Sequence, residues 1–305
     1  MKSILVLRGG ALGDFLLTLP LLRALRNAYP AARIEIVGNA AAARLAVAAN
    51  LIQAAHSQQE ARWAGFYTSG TLPPALSEWL SHFDLVILGW PDPEGEAARH
   101  FPVRQGQAFL AIEPAPRGGS LWRQWLHDAA PHLSREHVES APFMPLPLAA
   151  EAKAEARARV VLSRPYVAIH PGSGSARKNA PPKLWCETIV RLSPLPVLVV
   201  IGEADTHLLP LFRSLVSARI QLAERWELPV LGAALANAAA YAGHDTGVTH
   251  LAAAVGTTTH VIFGPTDPDV WTPCGRSVTP QRNDIQRATF DPETLAASLR
   301  AGIDL

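Results

Sequence analysis

Cysteine is nearly missing from this 305-residue sequence: only Cys186 and Cys274 occur. They show neither CxxC nor Cys/His spacing, which excludes a disulfide framework and a zinc site and leaves two buried, inert thiols as the expectation. Charge of one sign is missing too. The formal net charge of +1 gives no global field toward nucleic acid or an acidic membrane, so a nucleic-acid partner is not expected. Although 49% of the residues are apolar, no uncharged apolar run approaches the roughly 18 residues needed to span a bilayer. The opening "MKSILVLRGG" is too brief for a signal peptide and reads as a first strand. A cytoplasmic, soluble protein is the expectation. GxGxxG, the Walker A pattern, internal repeats and low-complexity tracts are all lacking, and the first of these absences argues against a dehydrogenase.

What is present is a series of short runs rich in Val, Ile and Leu. They fall at residues 3–7, 33–37, 84–88, 166–170, 196–201 and 259–263, with a further short strand ending at Asp245. Amphipathic stretches separate them, and continuous apolar strands alternating with helices predict parallel sheets covered on both faces, an α/β fold. Between the two sets of strands lies "APFMPLPLAA" (141–150), with Pro142, Pro145 and Pro147. A proline-stiffened segment followed by a charged, alanine-rich helix (151–164) marks a domain boundary near residue 148. This gives domains 1–148 and 149–290 and a terminal helix within 291–305, capped by Asp291 with Pro292 in its first turn.

Several strand ends carry groups with chemistry. In "LRGGALGDFLLTLPLLRALRNAYP" (7–30) a strand breaks into a turn whose Gly9, Gly10 and Gly13 allow positive φ and close backbone approach. A helix begins near Asp14, which is either its cap or a carboxylate displayed at the sheet's carboxyl edge. Pro20 should kink that helix or restart it. "YVAIHPGSGSARKNAPPKLWCETIV" (166–190) leaves a strand into a Gly/Ser turn containing Ser173 and Gly174, with Lys178 before a helix starting near Pro182. Turn amides and a nearby lysine make a phosphate cradle; the other reading is an ordinary loop with a solvated lysine. His170 reads as a structural histidine with its hydrogen bonds satisfied. Glu203 follows the next strand and could accept from ribose hydroxyls, while Asp205 is expected to cap the following helix.

"GHDTGVTHLAAAVGTTTHVIFGPTDP" (243–268) is the densest stretch. Asp245 ends a strand, Thr246 and Gly247 open a helix that Gly256 closes, and His250 leans toward the helix start. Helix-start amides beside a hydroxyl suit a diphosphate. Asp267 and Asp269 formally make a DxD, but between Pro265 and Pro268 they read as turn chemistry rather than a metal site. Four strand ends of the second half thus converge on one sheet edge.

These residues are similar to the family 9 glycosyltransferases, which include ADP-heptose:lipopolysaccharide heptosyltransferases. The likeness covers about residues 1–40 and 151–275 and fails over about 50–140. It rests on the three stretches quoted at 7–30, 166–190 and 243–268 together with "IGEAD" (201–205). It implies a GT-B fold, two Rossmann-like domains with parallel sheets facing a central cleft, and inverting transfer with no required metal or cofactor. The donor would be a nucleotide-sugar, in the first place an ADP-sugar. The acceptor would be a cell-surface glycan or a lipid-linked glycan, met in the cytoplasm or at the inner face of its membrane. Asp14 resembles the family's base and Lys178 its diphosphate lysine; Glu203 resembles the nucleoside contact; Ser173, Gly174, Asp245, Thr246, Gly247 and His250 resemble the diphosphate and sugar site. An epimerase of the same architecture and a non-catalytic sugar-nucleotide binder are the alternatives. In the divergent region, Arg99, Arg104, Arg117, Arg123 and Arg135 are either acceptor contacts or a solvated surface, and Trp122 and Trp125 either sugar platforms or core.

Overall fold

The computed structural model describes residues 1–67, 70–140, 144–282 and 289–303. Pro142, named above in the proline segment, lies outside them. The chain divides into two compact units, Met1–Pro142 and Phe143–Leu305. Pro145 and Leu146 pack within the second: the Leu146 N–H bonds to Ala254 O and Pro145 rests against Gly256.

The first unit is built on five strands, β1 (Ser3–Arg8), β2 (Arg33–Gly38), β3 (Ala54–Ser57), β4 (Leu85–Leu88) and β5 (Ala108–Ala111), in the order β3-β2-β1-β4-β5. All pairs are parallel, with Ile4 opposite both Ile34 and Leu85. Ile4, Leu5, Val6 and Leu7 are fully buried, as a central strand covered on both faces demands. One face carries an apolar cluster of Leu5, Leu7, Val37, Trp63, Phe66 and Trp90. The helix Leu12–Ala28 runs unbroken through Pro20, so no restart occurs. Every residue from Phe15 to Leu25 is buried. At about 1.5–3 kcal/mol for each large apolar side chain, that burial outweighs the roughly 3 kcal/mol an interior proline costs.

The second unit has six parallel strands: β6 (Val167–His170), β7 (Val197–Ile201), β8 (Ile220–Glu224), β9 (Ala240–His244), β10 (Thr259–Phe263) and β11 (Val278–Arg282), in the order β11-β10-β9-β6-β7-β8. The expected helices follow their strands, at Pro182–Arg191, Gly247–Ala254 and Pro292–Arg300. Gly256, at φ +93, ends the second of these. The alanine-rich helix stops at Arg159, short of residue 164, because β-branched Val160 and Val161 and then Pro165 oppose its continuation.

In both sheets the chain starts in the middle and reverses direction once, between β1 and β4 in the first and between β6 and β9 in the second. Crevices for ligands form outside the carboxyl ends of strands at such reversals. These two places therefore position the candidate sites.

Candidate active site

In the first unit the reversal is occupied by the turn after β1. The helix begins at Leu12, so Asp14 is its third residue rather than its cap. Its carboxylate still serves the helix start: Oδ2 accepts the Ala11 N–H at 2.9 Å. Oδ1 accepts from Arg8 Nη2 at 3.0 Å. Of the three glycines, Gly10 alone takes a positive φ, +109, and a Cβ there would fall 2.5 Å from Asp14 Oδ2. Arg8 ends β1, is only 7% exposed, and lies 4.9 Å from the centre of the Trp125 ring. Burial pulls its guanidinium below the ordinary range, against the opposing charge of Asp14. Asp14 keeps 30% of its side chain exposed: a fixed carboxylate with one open side. Across the reversal, Gly9, Gly10, Trp63, Tyr67, Trp90 and Pro91 line a cavity of about 390 Å³.

The divergent region packs against its own unit. Trp122 and Trp125 are buried, and a Cβ at Gly89 would strike the Trp125 ring. Arg104 holds Ser81 O and Asp84, Arg117 pairs with Asp128, Arg135 with Glu139, and Arg123 lies over Trp122.

In the second unit β10, β9, β6 and β7 are consecutive neighbours, so their four ends do meet on one edge. Lys178, in the 3₁₀ turn Ala176–Lys178, places Nζ 2.8 Å from Asp245 Oδ2 and 3.3 Å from Asp245 O. His250 Nε2 approaches Asp245 Oδ1 at 3.4 Å. Burial would raise the Asp245 carboxyl, but the hydrogen bond and charge of His250, together with Lys178, pull it down to about 2. Next in sequence, Thr246 caps the Gly247–Ala254 helix by accepting the Thr249 N–H. Ser173 is buried and closes its own turn on Ser175. Gly174 is exposed, with open space where a Cβ would stand. Glu203 is exposed at the start of the 3₁₀ turn after β7.

Two expectations change here. Asp205 does not cap a helix; its carboxylate is 3% exposed and meets His170 Nε2 at 2.9 Å. Gly172 leaves room for this contact, since a Cβ there would collide with Asp205 Oδ1. Cys186 and Cys274 are half-buried rather than buried. Sequence reasoning also passed over Arg8 and His244. The His244 ring accepts at Nε2 from both the Ala180 N–H, at 3.1 Å, and the Trp185 indole N–H, at 3.3 Å, so its proton is on Nδ1, and burial holds its pKa near 3. The nearest available signal was its place at the end of an apolar strand. Asp267 caps the short helix Pro268–Trp271 by accepting the Asp269 N–H. Among the described residues no cluster of three or more His, Cys, Asp or Glu could hold a metal ion, and no helix is long and apolar enough to cross a membrane.

No curated protein sequence matches the chain, whereas solved structures match along its full length. ADP-heptose LPS heptosyltransferase II of E. coli superposes with a TM-score of 0.76 at 17% identity, over 99% of this chain and 98% of that one. A family 9 glycosyltransferase from Veillonella parvula gives 0.72 at 16% identity, over 99% and 90%. E. coli heptosyltransferase WaaC, solved with ADP, gives 0.71 at 18% identity, over 98% and 99%. At such identities the likeness is one of fold, and the two parallel-sheet α/β units are those of GT-B glycosyltransferases. The profile of "Glycosyltransferase family 9 (heptosyltransferase)" matches residues 128–297, more than half of the sequence. The chain belongs to glycosyltransferase family 9, the heptosyltransferase family, and is a glycosyltransferase.

Proposed function

We propose that the enzyme transfers a sugar from a nucleoside diphosphate donor, in the first place ADP-heptose, to a cell-surface or lipid-linked glycan. Transfer would occur in one inverting displacement without a metal ion. The observation that carries this reading is the Lys178 ammonium held 2.8 Å from Asp245, one residue before a helix N-terminus and at the reversal of the second sheet. A lysine and helix-start amides together favour a diphosphate. ADP is also what the similar heptosyltransferase WaaC was solved with.

In the reaction the acceptor hydroxyl loses its proton to Asp14 while its oxygen attacks the anomeric carbon. The bond from that carbon to the diphosphate oxygen breaks, and the leaving group takes the electron pair. Arg8 and the Ala11 N–H fix one lone pair on each Asp14 oxygen and leave the others to receive the proton. Lys178 and the Thr246–Gly247 helix start neutralise the charge growing on the leaving diphosphate, the task a metal ion would otherwise perform. Asp245 and His250 are assigned to the donor sugar, Glu203 to the nucleoside, and the Ser173–Gly174 turn to the phosphates.

Asp14→Asn tests the assignment. It keeps the shape, and its single oxygen can still accept one of the two hydrogen bonds, but it cannot take a proton, so turnover should fall by about a hundredfold or more while ADP affinity stays within about twofold in calorimetric titration. Normal turnover would remove Asp14 from the mechanism. Parallel titrations with UDP and GDP read the base preference.

A further inference from the structure

His170 closes β6 and Thr246 follows β9, the two strands that flank the reversal of the second sheet. The ring of His170 bridges two partners: Nε2 to Asp205 Oδ2 at 2.9 Å and Nδ1 to Thr246 Oγ1 at 3.2 Å. Ring and carboxylate are 4% and 3% exposed, while Thr246 is half-exposed. The pair thus acts from inside on a hydroxyl that reaches outside.

Counting protons fixes what that hydroxyl can do. An ionised Asp205 only accepts, so Nε2 carries a hydrogen. If Nδ1 is bare, it takes the single Thr246 proton, and the hydroxyl offers a ligand nothing but lone pairs. If Nδ1 is protonated, it donates to Thr246 Oγ1, and the hydroxyl proton is released to turn toward a ligand, the other acceptor in reach being Thr249 Oγ1 at a long 3.4 Å. The Thr249 N–H, at 3.5 Å, adds a second donor to the same oxygen. The Thr249 hydroxyl donates to His244 O, so it supplies no proton to Thr246. Diphosphate oxygens accept and do not donate at neutral pH, hence only the protonated ring lets Thr246 hold one. Charge points the same way, because neutral His170 with ionised Asp205 leaves one negative charge behind Thr246 and the ion pair leaves none.

We propose that His170 is a proton-linked positioning residue: a nucleoside diphosphate binds together with a proton on His170 Nδ1, which turns the Thr246 hydroxyl into a donor toward the diphosphate, with Asp205 as the buried counter-ion. This rests on the donor-site reading above. The other groups facing the pair do not replace it. His244, from β9, is held neutral by its two N–H donors. Tyr241, also on β9, has its hydroxyl pushed far up by burial and bonds Thr249 Oγ1 at 2.9 Å. His207 lies near Asp205 and, with His170, offsets the burial that would raise that carboxyl. Lys178, Asp245 and His250 close on one another.

Nitrogen-15 NMR of the histidine rings reads the linkage directly, with the His170 signals assigned by their loss in His170→Asn. Titrated with pH, the His170 midpoint should rise by a unit or more when ADP saturates the protein, and Nδ1 should carry a proton in the complex. By reciprocity the ADP affinity falls about tenfold or more as pH rises through that interval, and His170→Asn flattens this dependence. Thr246→Val keeps the anion but removes the hydroxyl, so most of the shift should vanish. An unchanged midpoint, a bare Nδ1 in the complex, or a full shift surviving in Thr246→Val overturns the proposal. Failure of ADP, UDP and GDP alike to bind would instead overturn the donor site, and this linkage with it.

Discussion

Asp245→Asn separates what the second unit uses for stability from what it offers a ligand. In the wild-type protein this carboxylate is 7% exposed and holds Lys178 and His250. Burial works against its charge, yet His250 and Lys178 bring it from the ordinary 3.8 to about 2. At roughly 1.4 kcal/mol per pH unit of displacement, the charged form contributes about 2 kcal/mol to folding. The sign follows from the direction. A carboxyl lowered in the folded state stabilises fully above its unfolded value of 3.8 and loses that contribution as pH falls toward 2. Asparagine cannot titrate, so urea unfolding at pH 7 should show the variant about 2 kcal/mol less stable, with the gap constant down to about pH 5 and closing below about pH 4. Equal stability at pH 7, or a gap that widens in acid, refutes the argument. ADP binding should survive the same substitution, because the ammonium that loses its partner is the one assigned to the diphosphate; a tenfold loss would place Asp245 itself on the phosphates.

Gly10→Ala must place a Cβ at φ +109 and 2.5 Å from Asp14 Oδ2, so backbone strain and the broken Asp14 contacts should cost about 3 kcal/mol in unfolding experiments. Its turnover should drop as far as that of Asp14→Asn, and the double variant should be no slower than Asp14→Asn alone. Gly172→Ala drives a Cβ into the buried Asp205 carboxylate; separating Asp205 from His170 should lower stability by about 3–5 kcal/mol, read as an earlier urea midpoint. Sugar transfer should be unchanged by EDTA, since Lys178 and helix amides are assigned the leaving group; activity lost to the chelator and restored by a divalent ion would reject the metal-free displacement.

The central strands were legible because a strand buried on both faces must be apolar at every position: "ILVL" in β1 and "VLVV" in β7 allow no other reading. The outer strands were not. β3 is Ala-Ala-His-Ser, half-buried at every position; β8, Ile-Gln-Leu-Ala-Glu, is buried only at Ile220 and Ala223; β11 carries Pro280 in its middle, which only an edge tolerates. Their pairing is imposed by the neighbour already in place, and no local pattern announces it.

The site divides along the same physical line. Asp14, Asp245 and Thr246 were singled out because each comes soon after an apolar run, and a run that stops at polar or small groups marks the carboxyl edge of a sheet; Lys178 was singled out by the Gly/Ser turn before it. Which of them meet is a question of strand order. Lys178 finds Asp245 67 residues away because β6 and β9 are neighbours, a consequence of the reversal that composition does not encode. Asp205 was misread for the opposite reason: an acidic residue one turn past a strand satisfies the helix-cap pattern, and the competing partner, His170, lies 35 residues earlier on the adjacent strand. The decisive clue was Gly172, the one residue type whose missing side chain lets that carboxylate in. Carboxylate contacts at a sheet reversal are thus readable in sequence mainly through the small residues that make room for them, and Gly10 beside Asp14 obeys the same rule in the first unit.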